Sequence, residues 1–435
     1  MIGSDSVGDA VHLREITGVL LVGSPSTSVS GLCNHTGRPV EGSVLVVEAL
    51  GPELYDTIVA SAAVICSSGG RTGHMESLCR SRGIPVLRVA QSELAGMTGL
   101  VTVRTDRQSV TLGEADTLVR AAQLPAVAIG DLGSICVVIA DATDIQSTNA
   151  IAPRVEQVTS FFIREEFVCL STGLRPLDLL REGVEGAEGY GVAIAAELCS
   201  FVKELLPGQR LVMRLLDLRS DDAARITDVV DVDHEPNPEL GLHGARWLLQ
   251  EPHYPRAFQA LRAHVRERLG PEADRVSFAV PFINDLDEYL GLRQRLGLSD
   301  DEPLSVFVET PAAVHSTAEF CAAGASEIFV GTKDLTQFYL AADRGNHLVA
   351  DSYQTRHPAV MAGLRQAVVA GRSAGVPVHV FTLGGDAAHY LGQLPADRFM
   401  MCTAELAQLA QQGGRLADHQ DRGEHGACCC GPHAG

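Results

Sequence analysis

The chain has 435 residues, of which 46% are hydrophobic, so it can build two or three domains with separate cores. Its formal net charge of −20 repels nucleic acid and anionic membranes, so any phosphate-bearing ligand has to be met by local arginines. No apolar stretch approaches the length of a membrane-spanning helix, and the N-terminus lacks a signal-peptide pattern. We expect a cytoplasmic protein whose partner is a small molecule or another protein.

Eight of the eleven cysteines are scattered singly, which favours reduced, buried thiols over a disulfide framework. The other three, Cys428 to Cys430, lie in a Gly-rich terminal segment with His425 and His433. That segment has the ligand types for a soft metal, but adjacent cysteines do not easily share one tetrahedral centre. We therefore expect residues 418–435 to be a disordered tail and keep a metal site as the alternative.

The first region of the chain combines short β-rich runs with Gly, Ser and Pro punctuation. Residues 15–115 predict a compact β/α domain, with a helix after His74. We expect residues 1–14 to form a tail and residues 116–130 a linker. The predicted strands are 16–22, 42–47, 63–66, 85–89 and 100–103.

The second region, residues 131–417, has a different pattern of apolar and amphipathic segments. Eight apolar runs of strand length are separated mostly by helix-length amphipathic segments, such as 251–268 and 357–374. Eight buried strands alternating with helices over this length predict a (β/α)8 barrel of the TIM type. The predicted strands are 135–140, 160–163, 210–216, 276–281, 305–309, 327–330, 376–381 and 399–402.

Several predicted barrel strands end in charge, and barrel enzymes carry their reactive groups at those ends. Taken alone, each of these residues is typical of a solvated loop. Together, they predict a site that binds an anion and a metal ion. Carboxylates suit Mg²⁺ or Mn²⁺, and arginines bind phosphate through two parallel hydrogen bonds. The charged residues are Arg164, Arg214, Asp217, Glu309, Lys333 and Asp334, with Arg344 close behind.

Eight segments, in chain order, resemble the phosphoenolpyruvate-utilising family: Enzyme I of the bacterial sugar phosphotransferase system, phosphoenolpyruvate synthase and pyruvate phosphate dikinase. Residues 69–74, GGRTGH, resemble the family's Gly-Gly-x-Thr-Ser-His, and 163–167, IREEF, resemble its Arg-Thr-Glu-Phe segment. The remaining matches are CRSRGIPVL (79–87), MRLLD (213–217), NPELGLHGAR (237–246), VETPAA (308–313), VGTKDLTQFYLAADRGN (330–346) and HPAV (357–360).

The resemblance implies a role for each matching position. Residues 15–115 would be a swivelling domain in which His74 carries the phosphoryl group, with Thr72 beside it. Glu309 and Asp334 would hold Mg²⁺ or Mn²⁺, and the barrel would form a homodimer. Residues that would bind phosphoenolpyruvate or line its site are Arg164, Arg214, His243, Arg246, Lys333, Arg344 and Asn346.

Histidine suits this task because an imidazole nitrogen accepts a phosphoryl group as a high-energy phosphoramidate and passes it on. A helix that begins just after His74 would aim unpaired N–H groups at the phosphate. The alternative is a histidine that only caps the start of that helix.

The sequence also departs from the family. Where the family has Cys-Gly-Glu, whose cysteine protonates the enolate carbon, this chain reads VHVFTLGGD (378–386) and places Val380 or Phe381 there. Cys402 is a possible substitute. Lys333 replaces a family asparagine and His243 an arginine. We also expect neither the helical partner-docking domain nor the ATP-grasp domain of the larger members.

These observations predict a phosphotransferase that moves a phosphoryl group from phosphoenolpyruvate, or a close analogue, through phospho-His74 to an unidentified acceptor. The acceptor would be a separate protein or a small molecule, such as one from a specialised biosynthetic pathway. Two alternatives remain open: a non-catalytic regulatory relative that binds the anion, and a variant that transfers the enolpyruvyl group.

Overall fold

The computed structural model describes residues 14–23, 27–70, 74–113, 132–151, 157–228, 235–383, 385–396, 398–407 and 409. Backbone contacts divide the chain into two compact units. The first is formed mainly by residues before 123 and the second by the residues that follow. None of the helices within the described ranges has both the length and the apolar character needed to cross a membrane.

The first unit contains an eight-stranded mixed sheet with the order β1-β8-β7-β3-β4-β5-β6-β2. Strands β3 to β6 pair in parallel, and the other pairs are antiparallel. The strands are β1 (Glu15–Thr17), β2 (Val19–Val22), β3 (Ser28–Asn34), β4 (Ser43–Val47), β5 (Ser61–Cys66), β6 (Val86–Arg88), β7 (Leu100–Arg104) and β8 (Ser109–Leu112); the helices are α1 (Tyr55–Ala60), α2 (His74–Arg82) and α3 (Gln91–Leu94).

The strand predicted over 16–22 is two strands in the structure. Strand β1 pairs with β8 and β2 pairs with β6, so the chain changes neighbours at Gly18. A Cβ at this position would lie 2.5 Å from the carbonyl oxygen of Arg88, which explains the glycine. Strands β3 and β8 and helices α1 and α3 were not predicted.

The second unit contains a closed barrel of eight parallel strands, and the predicted (β/α)8 fold is confirmed. Each predicted barrel strand matches a strand of the structure to within two residues at both ends. The strands are β9 (Ser134–Ile139), β10 (Val158–Arg164), β11 (Arg210–Arg214), β12 (Val276–Val280), β13 (Ser305–Val308), β14 (Ile328–Val330), β15 (Val378–Phe381) and β16 (Arg398–Cys402).

Helices of one to five turns follow the barrel strands. The helix predicted over 251–268 is α10, which starts three residues later, at Tyr254, with Pro255 in its first turn; α9 ends just before the predicted segment, at Gln250. The helices are α4 (Ala142–Ile151), α5 (Glu165–Thr172), α6 (Pro176–Arg181), α7 (Val184–Lys203), α8 (Ser220–Ile226), α9 (Gly244–Gln250), α10 (Tyr254–Leu269), α11 (Leu286–Arg295), α12 (Pro311–Ala322), α13 (Thr332–Leu340), α14 (Pro358–Ser373) and α15 (Ala387–Gln393).

Side chains of the barrel strands alternate between two cores, as the period of two requires. One face packs outwards against the helices, and the other fills the barrel interior. Inside, the Phe162 ring centroid lies 5.2 Å from that of Phe307 and 5.4 Å from that of Phe329. Phe381 belongs to this interior cluster, whereas Val380 packs in the outer core. Of the two residues that the sequence placed at the family cysteine, Phe381 is the one facing inwards.

Candidate active site

Arg214, at the carboxyl end of β11, is bound by three buried carboxylates. Its Nη2 atom donates to Glu166 at 2.5 Å and lies 3.1 Å from Asp217, and its Nη1 donates to Glu309 at 3.1 Å. Burial by itself lowers the pKa of Arg214, but the three carboxylates outweigh it and raise the pKa. The guanidinium is therefore permanently charged, and the contacts at Nη1 and Nη2 fix its orientation.

Glu309 directly follows β13, and its second oxygen also takes part in a hydrogen bond. Oε2 accepts a hydrogen bond of 2.9 Å from the backbone N–H of Phe282. Phe282 has a φ of 48°, a left-handed conformation that costs a bulky residue energy and that is found disproportionately at functional sites. Burial raises the pKa of Glu309 well above its usual range; Arg214 opposes this shift, and Asp334 and Asp217 add to it. Glu309 and Asp334 are thus electrostatic neighbours.

Asp334, in the first turn of α13, pairs with Arg344. The Nη1 atom of Arg344 lies 2.9 Å from one carboxylate oxygen and 3.0 Å from the other. Gln337 accepts a 2.8 Å hydrogen bond from the backbone N–H of Arg344 and donates to Glu239 at 3.0 Å. Glu239 also pairs with Arg219, and it lies 4.0 Å from Nε of Arg344. An acidic side chain of the 235–243 loop therefore reaches two arginines at the barrel mouth.

Arg164 and Lys333 are two further cations at the strand ends. The Arg164 guanidinium stacks 3.9 Å over the ring of Phe167, and its buried Nε has no hydrogen-bond partner within the described part of the chain. Burial lowers the pKa of Arg164 to about 10, against the opposing effect of Glu166. Lys333 Nζ lies 4.7 Å from the Phe381 ring centroid, and burial lowers the pKa of Lys333 to about 7, with a contribution from Arg164.

The remaining predicted barrel residues lie in different surroundings. His243 is buried, with Nδ1 2.7 Å from Asp217, so it contacts the Arg214 cluster through that carboxylate. Arg246, in α9, is exposed and donates to the carbonyls of Leu240 and Gly241 in the loop before that helix. Asn346 is exposed and accepts from the backbone N–H of Leu348. The structure therefore adds His243 to the cluster but does not bring Arg246 or Asn346 to the paired carboxylates.

His74 is the first residue of α2, as the sequence predicts for a histidine at a helix start. Its side chain, and Thr72 altogether, lie outside the described residues, as does the Cys428–Cys430 segment. Cys402 ends β16 inside the barrel, and burial raises the pKa of its thiol to about 12.

The carboxylates at the mouth fit a divalent cation. Within the described ranges, no three or more His, Cys, Asp or Glu side chains group as a metal site. Mg²⁺, however, usually takes only one or two carboxylates and completes its shell with water and substrate oxygens. Glu309 and Asp334 are hard oxygen donors, and the charge of Asp334 adds to the raised pKa of Glu309. A cation between them would relieve that repulsion.

Two carboxylates of this site were missed from the sequence. Glu166 binds Arg214, and Glu239 binds Arg219 and Gln337. The signal for Glu166 was available, because the pair Glu165-Glu166 follows directly after a barrel strand. The signal for Glu239 was weaker, since the loop before α9 is irregular apart from one short 3₁₀ turn.

Comparison with known proteins agrees with this fold. The profile of the family described as "PEP-utilising enzyme, PEP-binding domain" matches residues 163–392, more than half of the chain. The profile described as "PEP-utilising enzyme, mobile domain" matches residues 39–113. The chain therefore belongs to the family of phosphoenolpyruvate-utilising enzymes, with a mobile phosphohistidine-type domain followed by a PEP-binding barrel.

Curated relatives align with most of the chain. The phosphoenolpyruvate synthase of Pyrococcus furiosus is 27% identical over 359 residues, 78% of this chain and 42% of the relative. The multiphosphoryl transfer protein of Xanthomonas campestris is 27% identical over 432 residues, which cover 90% of this chain and 48% of the relative. The phosphoenolpyruvate-protein phosphotransferase of Haloferax volcanii is 28% identical over 353 residues, which cover 76% of this chain and 59% of the relative. The chain spans about half the length of these relatives.

Proposed function

We propose that this protein takes a phosphoryl group from phosphoenolpyruvate, or a close analogue, at the barrel mouth and transfers it through His74 to an acceptor. The observation that carries the proposal is the convergence of Arg164, Arg214 and Arg344 with the carboxylates Glu309 and Asp334 at the ends of neighbouring strands. Family membership supports the choice of phosphoenolpyruvate as the donor.

In the first step, a nitrogen of the neutral His74 ring attacks the phosphorus. The bond between phosphorus and the enol oxygen breaks, and its electron pair leaves with enolpyruvate. Arg164, Arg214 and Arg344 hold the phosphate and carboxylate so that attack is in line. In the second step, a nucleophilic atom of the acceptor attacks the same phosphorus, the phosphorus–nitrogen bond breaks, and the proton of that nucleophile is released to solvent. Residues 15–115 would swivel between the two positions.

Charge balance supports a role for Mg²⁺ or Mn²⁺. The four carboxylates Glu166, Asp217, Glu309 and Asp334 already accompany the three arginines Arg164, Arg214 and Arg344 at this site. A bound phosphoenolpyruvate would leave this site with excess negative charge. Glu309 and Asp334 would hold the metal ion, which would supply charge neutralisation for the donor phosphate. The residues themselves position the donor.

Phe381 affects how the enolpyruvate product becomes protonated. A phenyl ring at the position of the family cysteine has no proton to donate to the enolate carbon. We propose that enolpyruvate leaves and takes its carbon-bound proton from water, which makes transfer effectively one-way. Cys402 is a second candidate donor, and its thiol keeps its proton because burial raises its pKa to about 12.

The test is the intact mass of the protein after incubation with phosphoenolpyruvate and Mg²⁺. The expected result is a gain of one phosphoryl group that is absent from His74→Ala and present in the matched control His35→Ala. His35 lies in the same unit and contacts the carbonyl of Met97. No gain would favour the regulatory alternative, and a larger adduct would favour enolpyruvyl transfer. Either result would overturn the proposal.

A further inference from the structure

Glu165 is a buried carboxylate that has no cationic partner among the residues the structure describes. It is the first residue of α5, its side chain is 1% exposed, and it lies between Arg164 and Glu166 in the chain. Its Oε1 accepts from the Tyr190 hydroxyl at 2.5 Å. Its Oε2 accepts from the Tyr254 hydroxyl at 2.6 Å and from the backbone N–H of Leu216 at 2.9 Å. All three of these donors are neutral.

These contacts connect the two carboxylates that hold Nη2 of Arg214. Glu166 is the next residue after Glu165, and Asp217 is the next residue after Leu216. Glu166 and Asp217 lie 2.5 and 3.1 Å from the same guanidinium nitrogen. One buried side chain therefore joins the start of α5 to the loop after β11, at the base of the arginine cluster. In the family segment Arg-Thr-Glu-Phe, which residues 164–167 resemble, this position is a threonine.

We propose that Glu165 is a positioning residue for phosphoenolpyruvate binding: it fixes Glu166 and Asp217 relative to each other and so sets the orientation of the Arg214 guanidinium. This inference rests on the proposed function, since the substrate anion is the ligand that Arg214 would be oriented to bind. Glu165 itself lies below the site and does not touch substrate.

In the observed arrangement both oxygens of Glu165 act only as acceptors. The N–H of Leu216 can only donate, whereas a tyrosine hydroxyl can rotate and accept. An amide or a protonated acid at position 165 would therefore have to reverse the hydrogen bond with Tyr190 and so change the geometry of the cluster. The other titratable groups around Glu165 are Tyr190, Tyr254, Cys169 and Glu166. Burial raises the pKa of Glu165 to about 7, with the tyrosine hydrogen bonds opposing the shift, so ionisation occurs near neutral pH.

Glu327 supplies a matched control at the opposite end of the barrel. It is also a buried carboxylate, and it pairs with His379 at 2.9 Å and Arg210 at 2.6 Å. Glu327→Gln should reduce stability as Glu165→Gln does, but it lies away from the arginine cluster. A merely structural role for Glu165 would make the two variants behave alike in binding.

The experiment measures the Kd of phosphoenolpyruvate with Mg²⁺, by calorimetry, between pH 5.5 and 8.5, for wild type, Glu165→Gln and Glu327→Gln. We expect Glu165→Gln to weaken binding roughly 10-fold to 100-fold above pH 8, the range found when a supporting residue of a site is removed. Lys333, whose pKa is about 7, loses its charge over the same range in both proteins, so the comparison is the ratio of the two affinities. The affinity of wild type relative to Glu165→Gln should rise across about pH 7. Equal affinity of Glu165→Gln and wild type, or an equal loss in Glu327→Gln, would overturn the inference.

Tyr254→Phe keeps the test decisive if Glu165→Gln does not fold. It removes one hydrogen bond from the carboxylate, so the midpoint of the wild-type pH profile should move upwards; an unchanged midpoint would overturn the inference. The ¹⁵N NMR signals of the Arg214 guanidinium report on the surroundings of this side chain in the absence of substrate. They should shift in wild type as Glu165 ionises and stay constant in Glu165→Gln. Failure of wild type to bind phosphoenolpyruvate would contradict the proposed function alone, because the Arg214 signals still test the positioning role.

Discussion

Nη1 of Arg214 donates to Oε1 of Glu309 across 3.1 Å, although 95 residues separate the two in the chain. The residue expected to bind the donor phosphate therefore contacts the residue expected to bind the metal ion. With Glu166 and Asp217 on its other nitrogen, Arg214 is the side chain on which the geometry of the mouth depends.

Arg214→Met should abolish measurable phosphoenolpyruvate binding and lower the free energy of unfolding by roughly 3–5 kcal/mol, the usual cost of breaking a buried ion pair. Three buried carboxylates would lose their shared cation. Arg210→Met is the control from the other end of β11, where the Arg210 side chain is 42% exposed. It should bind phosphoenolpyruvate like wild type. Calorimetry and denaturant unfolding measure both effects, and normal binding by Arg214→Met would contradict the assignment.

Gly331→Ala should disturb Glu309 through direct contact. A Cβ at position 331 would lie 2.6 Å from Cε1 of Phe307 and 2.7 Å from Cγ of Glu309. We expect a loss of about 1–3 kcal/mol in stability from overpacking, together with weaker Mg²⁺-dependent binding of phosphoenolpyruvate.

Gly291→Ala in α11 is the control for Gly331→Ala, because its Cβ would meet only Leu249, at an ordinary 3.4 Å. It should leave binding unchanged and raise stability slightly, by about 0.5–1 kcal/mol, from helix propensity. Denaturant unfolding and titration with Mg²⁺ separate the two variants. Unchanged Mg²⁺ dependence in Gly331→Ala would argue against Glu309 as a metal ligand.

Glu239→Gln should tighten phosphoenolpyruvate binding several-fold. The Glu239 carboxylate pairs with Arg219 and lies near Arg344, so its charge competes with an incoming anion for these arginines. Asp222→Asn tests the specificity of the effect, since Asp222 also pairs with Arg219, at 3.0 Å, but does not bond to Gln337 in the same network. Weaker binding by Glu239→Gln would instead mean that the substrate needs this carboxylate.

Glu165 should make stability depend on pH in a defined direction. Its pKa is about 7 in the folded protein and about 4.5 in the unfolded chain. The folded state therefore binds more protons between these values, and its stability falls as the pH rises from about 4.5 to 7. The unfolding free energy of wild type, relative to Glu165→Gln, should decrease by roughly 3 kcal/mol over this window. A constant or increasing difference would contradict the elevated pKa.

The barrel was predictable because its signal is repeated eight times. Buried parallel strands read as continuous apolar runs, so 276–281 and 305–309 could be recognised without knowing their neighbours. Strand β3 could not, because its sequence SVSGLCN contains a glycine and polar residues and is only partly buried. The division between β1 and β2 at Gly18 was not predictable either. A glycine is needed there because of the nearby carbonyl oxygen of Arg88, which is far away in the sequence.

The location of the charged residues at the mouth was predictable, but their pairing was not. Charged residues at strand ends identified Arg164, Arg214, Glu309 and Asp334 because all barrel strands deliver their ends to one face. Which acid binds which arginine depends on inter-strand distances that no local pattern encodes. The same applies to Glu165, whose tyrosine partners lie 25 and 89 residues away.

The most direct measurement is ³¹P NMR of the protein mixed with one equivalent of phosphoenolpyruvate and Mg²⁺. Phosphoryl transfer predicts loss of the phosphoenolpyruvate signal, a new phosphoramidate signal of equal area, and one equivalent of pyruvate, with none of these in His74→Ala. An unchanged phosphoenolpyruvate signal in wild type, or the same new signal in His74→Ala, would contradict the account.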